Sequence, residues 1–92
     1  MTTKHTYLRD RSRRLRQTIL ETLATLPNDY MQPETVLMSA LRHTQVPEVT
    51  EAELHRALEW LEEDALIHGE RSSLSGTKWC ITGIGRARCA EL

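Results

Sequence analysis

Between residues 7 and 26 the apolar positions Leu8, Leu15, Ile19, Leu23 and Leu26 recur at the helical period, with Ser12 and Thr22 between them. They fall within one narrow arc, which predicts an amphipathic helix with a single buried face. Pro27-Asn28-Asp29 ends that helix, because proline cannot continue the hydrogen-bond ladder and Asn-Asp favours a turn. Pro33 is placed as the first residue of a short second helix reaching about His43, with Val36, Leu37, Ala40 and Leu41 turned inward. Gln45-Val46-Pro47-Glu48 forms the connection. Thr50 and Glu53 then stand at the spacing of a capping box, and Val49 and Leu54 at that of a hydrophobic staple, so the third helix has the best-marked start in the chain. It is expected to bury Leu54, Ala57, Leu58, Leu61 and Ala65 and to leave Ala52, His55, Arg56, Glu59 and Glu63 outward, with Trp60 at the border of the stripe.

The period then changes from helical to alternating. Leu66-Ile67-His68 opens a strand, Ser72-Ser73-Leu74-Ser75-Gly76 reads as a hairpin tip, and Thr77-Lys78-Trp79-Cys80-Ile81-Thr82 returns. Thr82 can cap a last helix over 84–91, which Gly83 and Gly85 weaken by propensity. Ninety-two residues support one small core and not two, so the expected organisation is a flexible arm over 1–6 and one domain over 7–92. The aromatics are Tyr7, Tyr30, Trp60 and Trp79, with no Phe. Such a core is built from Leu, Ile, Val, Met and Ala, which suits helices on helices better than a large β-sandwich. In so aromatic-poor a chain, Tyr7, Trp60 and Trp79 are expected in core or half-buried packing before base stacking or a dimer seam. The fold class read from this pattern is mainly α with a small β-hairpin: a three-helix core plus a wing, the winged helix-turn-helix.

Charge changes the picture more than composition does. The net charge is −1, yet its parts are segregated. Lys4, Arg9, Arg11, Arg13, Arg14 and Arg16 make residues 1–30 net +3 against Asp10, Glu21 and Asp29, and residues 71–92 are also net +3. Residues 31–70 are net −7, with Arg42 and Arg56 against nine carboxylates. Such an order suits complementary contacts inside the fold, head-to-tail association, or one basic binding face made by the two ends.

The two cysteines, Cys80 and Cys89, are too few for a disulfide scaffold, and no signal peptide, transit segment or long apolar run is present. A reducing cytoplasm, without membrane contact, is the expected location. Cysteine and histidine positions lack zinc-ligand spacing; at most, His68 and Cys80 approach one another across the hairpin. No phosphate loop, nucleophile elbow or apolar-flanked carboxylate pair occurs, so neither an enzyme nor a cofactor is expected.

The order helix, helix, helix, hairpin, with Ala57-Leu58-Glu59-Trp60-Leu61-Glu62-Glu63 leading into Leu66-Ile67 and Trp79-Cys80-Ile81-Thr82-Gly83-Ile84-Gly85-Arg86 closing it, resembles the ArsR/MarR-like winged-helix proteins. More narrowly, it is similar to the small winged-helix proteins of Mu-like phages and prophages. The resemblance covers about residues 7–88 and implies a DNA-binding regulator or DNA-handling factor acting in a bacterial host cell. Two departures matter. Asp64-Ala65 stands where the family usually carries a glycine before the Leu-Ile pair, and the third helix lacks the paired cysteines of the metal-sensing branch.

In a helix-turn-helix reader the outward residues near the start of the recognition helix meet the bases. Here they are Glu51, Ala52, His55, Arg56 and Glu59. Arg56 suits guanine and His55 a phosphate, whereas Glu51, Glu59, Glu62 and Glu63 repel the duplex. The first helix offers an alternative, since Arg9, Arg13 and Arg16 lie along one edge and Arg11 and Arg14 continue around it. These arginines suit phosphate contacts without sequence reading, extended by Arg71 and Lys78 of the hairpin and by Arg86 and Arg88 if they share that face. Equally open is pairing of the arginines with the acidic third helix, within one chain or across a homodimer. The expected function is therefore double-stranded DNA binding through Arg9, Arg13, Arg14, Arg16, His55, Arg56, Arg71 and Lys78, with a dimer to enlarge the small basic area. The alternative is a protein-interaction module docking Glu59, Glu62 and Glu63 on a basic partner.

Overall fold

The computed structural model describes residues 3–28, 30–44, 46 and 48–90, with side chains described from residue 9 onward. The chain runs α1 (Thr3–Ala24), β1 (Gln32–Pro33), α2 (Glu34–Leu41), α3 (Glu51–Glu63), β2 (Ile67–Ser72), β3 (Gly76–Ile81) and α4 (Gly83–Ala90). Among the described residues, four helices therefore accompany one three-stranded antiparallel sheet in the order β1-β3-β2. This arrangement is compatible with the expected three-helix core and wing.

The helical period does place the core. Leu15, Ile19 and Leu23 of α1 are buried, together with Leu20, which widens the stripe. They meet Leu37 and Leu41 of α2, Leu54, Ala57, Leu58 and Leu61 of α3, and Leu66, Ile67, Trp79 and Ile81 around the sheet. Val46, in the connection before α3, is buried as well. Leu8 and Tyr7 lie where only the backbone is described.

Boundaries differ from the sequence reading in physically interpretable ways. The first helix begins at Thr3 and not near residue 7, so residues 3–6, expected in an arm, extend it. Once a helix exists, each added residue contributes a hydrogen bond without a new nucleus. It ends at Ala24, two residues short of Leu26, and Asp29 lies outside the described residues. Pro33 is not the first helical residue. With φ −60° and ψ 141° it is the extended N-cap of α2 and also pairs with Lys78 in the sheet. Proline is tolerated there because β1 is an edge strand and needs no donor on its outer side. The second helix stops at Leu41, and Val36, expected inward, is 47% exposed. Ala40 is half-buried.

The third helix starts as predicted. The Glu53 backbone N–H donates to Thr50 Oγ1 at 3.1 Å, and the Thr50 N–H donates to Glu53 Oε1 at 3.1 Å, completing the capping box. Its end corrects the expectation for Ala65, which is exposed and left-handed, with φ +61°. The Leu66 N–H donates to the Leu61 carbonyl at 3.0 Å and the Ala65 N–H to that of Glu62 at 2.9 Å. This is the paired bonding of a Schellman motif, with buried Leu61 and Leu66 as its apolar partners. Ala65 thus takes the left-handed position that glycine most often fills at a helix end.

The hairpin forms with Ile67 opposite Ile81, His68 opposite Cys80 and Gly69 opposite Trp79. Gly69 is compelled by Trp79, whose ring carbon would lie 2.5 Å from an added Cβ. Thr82 caps α4 as expected, its Oγ1 accepting from the Gly85 N–H at 3.0 Å. Gly85 is required there because a Cβ would sit 2.1 Å from the Leu66 carbonyl oxygen. Close packing against the end of α3 therefore outweighs the weak helix propensity of glycine.

Candidate nucleic-acid interface

The arginines of α1 do not act as one set. Arg9 and Arg13 occupy one exposed edge, a turn apart, and make no ion pair with another described residue. Arg14, also exposed, lies around the helix beside Asp10, Gln17 and Glu21. Arg16 continues the edge but folds onto α3, with its guanidinium 4.1 Å from the centre of the Trp60 ring. Partial burial lowers its proton affinity, the neighbouring Arg13 charge adds to this, and Asp64 opposes it.

Arg11 turns away from the exposed edge. Its Nε donates to Glu53 Oε2 at 2.7 Å, and its Nη2 to Glu53 Oε1 at 3.2 Å and to the Glu48 carbonyl at 3.4 Å. The hydrogen bond from Arg11 holds the Glu53 carboxyl below the usual carboxylate range against a partial cost of burial, with the Thr50 backbone assisting. One carboxylate therefore closes the cap of α3 and ties that helix to α1.

Arg56 is exposed on α3, one turn before Trp60, and completes a groove of about 280 Å³ between α1 and α3. Arg11, Ser12, Leu15, Arg16, Glu53 and Ala57 form the remaining walls. Trp60 itself is 44% exposed. The border position read from the helical period is thus correct, and its ring contact is with an arginine.

On the hairpin side the structure separates residues that sequence reasoning grouped. Arg71 Nη2 donates to Glu62 Oε1 at 2.7 Å and Nη1 to Oε2 at 3.3 Å, and the guanidinium lies 5.3 Å from the Trp79 ring centre. The hydrogen bond from Arg71 lowers the Glu62 pKa, while the bond to Glu62 raises that of Arg71. Glu62 also accepts from the Gly69 backbone N–H at 3.3 Å. Arg71 and Glu62 are thus each other's partner, which is the pairing of an arginine with the acidic third helix that the charge pattern left open. Lys78 is half-buried in the central strand, opposite Glu70 on one side and Pro33 on the other.

His55 is exposed, but its Nε2 meets Glu34 Oε2. Trp79 Nε1 donates to the other Glu34 oxygen at 2.9 Å. Glu34, which the sequence reading overlooked, joins the outward face of α3 to the buried Trp79. Arg86 was also set among surface cations, yet its Nη1 and Nη2 donate to the carbonyls of Ala24 at 3.0 Å and Leu26 at 2.7 Å. It closes the C-terminal end of α1, where unsatisfied carbonyls and the helix dipole favour a cation. Neither role has a local signature, since the partners lie 45 and about 60 residues apart.

Glu59 and Glu63 remain exposed on α3 without an ion pair to another described residue. No group of three or more His, Cys, Asp and Glu that could hold a metal ion occurs among the described residues, and none of their helices is long and apolar enough to cross a membrane. No protein-family model, curated protein or solved structure matches the chain.

Proposed function

We propose that this chain is a winged-helix protein that binds double-stranded DNA through phosphate contacts from the edge of α1 and from Arg56, serving as a phage- or prophage-type regulator or DNA-handling factor. The observation that carries this reading is the division of the arginines. Arg11, Arg71 and Arg86 are held by internal partners, whereas Arg9, Arg13, Arg14 and Arg56 stay exposed without an ion pair to another described residue. Arginines left open in this way suit backbone contact, which carries affinity without sequence information. Base reading by α3 has little support, because His55 is engaged with Glu34 and the same face carries Glu51, Glu59 and Glu63.

Fluorescence anisotropy of a labelled duplex, titrated at several salt concentrations, tests the reading. About four phosphate contacts predict a loss of affinity on the order of a hundredfold between 50 and 200 mM salt. The double substitution Arg13→Ala with Arg14→Ala should flatten the logarithmic salt slope by about 2. A protein that fails to bind at low salt, or a slope insensitive to that pair, removes the proposal. Glu59 and Glu63, exposed and without an ion pair to another described residue, favour the second reading, a docking face for a basic protein. Charge reversal at those two positions would abolish such docking and strengthen DNA binding.

A further inference from the structure

The groove between α1 and α3 has chemistry that a duplex backbone alone does not use. Trp60 is 44% exposed, although a buried site for an indole exists in this fold and is filled by Trp79 at 3% exposure. Arg16 covers part of the ring at 4.1 Å, and Arg56 and Ser12 stand on the same groove. The nearby guanidinium of Arg13 is felt by Arg16, and the carboxylate that opposes it, Asp64, forms no ion pair with it, while the Glu53 carboxylate on the same groove is held by Arg11. An accessible aromatic surface is therefore set beside Arg16 and Arg56, which form no ion pair with another described residue. In nucleic-acid-binding proteins this pairing of parts accepts an unstacked base on the ring and its phosphates on the arginines.

We infer that Trp60 stacks an unpaired base whose flanking phosphates are held by Arg13, Arg16 and Arg56, so that the preferred ligand is a duplex bearing a single-stranded extension. This rests on the DNA-binding reading above and names the form of DNA that the same surface takes. Paired bases within a blunt duplex are already stacked on each other and offer no open face to an indole. The carboxylates of Glu63 and Asp64, one turn after Trp60, decide against an acidic peptide. They repel its side chains, but they can accept hydrogen bonds from the exocyclic amines of a base. They also direct the phosphates toward Arg13 and Arg56, away from the C-terminal end of α3.

The test compares one labelled duplex, blunt or carrying a short single-stranded deoxycytidine tail, by anisotropy with the 92-residue chain, cytosine having the exocyclic amine that thymine lacks. The tail is expected to tighten binding about tenfold for one stacked base. Tryptophan fluorescence should be quenched by the tailed duplex more than by the blunt one, with buried Trp79 as a constant background. Trp60→Leu should bring the ratio of tailed to blunt affinity close to one, and Trp60→Phe should restore part of it. The helix content and Tm of each variant, followed by circular dichroism, separate loss of stacking from loss of fold. Equal affinity of the wild-type protein for both duplexes overturns the inference while leaving backbone binding intact. So does a tail preference that survives Trp60→Leu, or equal quenching by a polyglutamate peptide. Binding of neither duplex overturns both readings.

Discussion

At the scale of single residues, Ala65 shows most clearly how a sequence departs from its expected pattern without changing the backbone. The Schellman bonds at the end of α3 demand a left-handed residue, and Ala65 adopts it at φ +61°. A Cβ makes that conformation costly, whereas glycine adopts it freely. Ala65 is exposed, so a substitution there loses no core contact. Ala65→Gly is therefore expected to stabilise the protein by about 1 kcal/mol, partly offset by the greater freedom of glycine in the unfolded chain. Thermal denaturation should show Tm raised by about 4 °C; a lowered Tm would refute strain at this position. Gly85 is the converse case. Its missing side chain makes room for the Leu66 carbonyl, a requirement that propensity alone misreads as weakness.

At the scale of elements, α3 was legible because its determinants are local. Thr50, Glu53, Val49 and Leu54 lie within six residues, and the apolar stripe follows at once. Glu53 has a further role that no local pattern reveals, because Arg11 lies 42 residues away. Its lowered pKa gives the pair a definite pH signature. A carboxylate held below its unfolded value stabilises the fold above the ordinary glutamate pKa of about 4.3 and loses that contribution as pH falls through its folded value. Urea unfolding should thus show Glu53→Gln less stable than the wild type at pH 7, with the difference shrinking below about pH 4. A difference that persists unchanged into acid would mean that the ionised carboxylate is not what joins α1 to α3. The short β1 was missed for a related reason. Two residues, one of them proline, carry no alternation, and only pairing of Gln32 with Trp79 and of Pro33 with Lys78 makes them a strand.

At the scale of the whole molecule, residues from α1, α2, α3 and the hairpin meet in one apolar cluster. Trp79 lies in it, bonded to Glu34 at the start of α2, and Arg86 of α4 closes the end of α1. Elements so interlocked are expected to unfold together. Urea transitions followed by far-ultraviolet circular dichroism, which reports the helices, and by the fluorescence of Trp79 in a Trp60→Phe background should coincide. Separate midpoints would show that the hairpin opens independently. Periodicity, capping chemistry and turn residues, all acting over a few positions, determined from the sequence alone that three amphipathic helices precede a hairpin and a capped last helix, and which leucines of α2 and α3 face the core, while the stripe of α1 omitted the buried Leu20. Tertiary structure alone decided which charges remain available: it placed Glu53 on Arg11, Glu62 on Arg71 and Glu34 between His55 and Trp79, left Arg9 and Arg13 exposed on the edge of α1, and set Arg56 on the groove of Trp60. The reason is physical. Helix and strand signals are written in the spacing of near neighbours, whereas an ion pair depends on where distant segments of the chain come to rest.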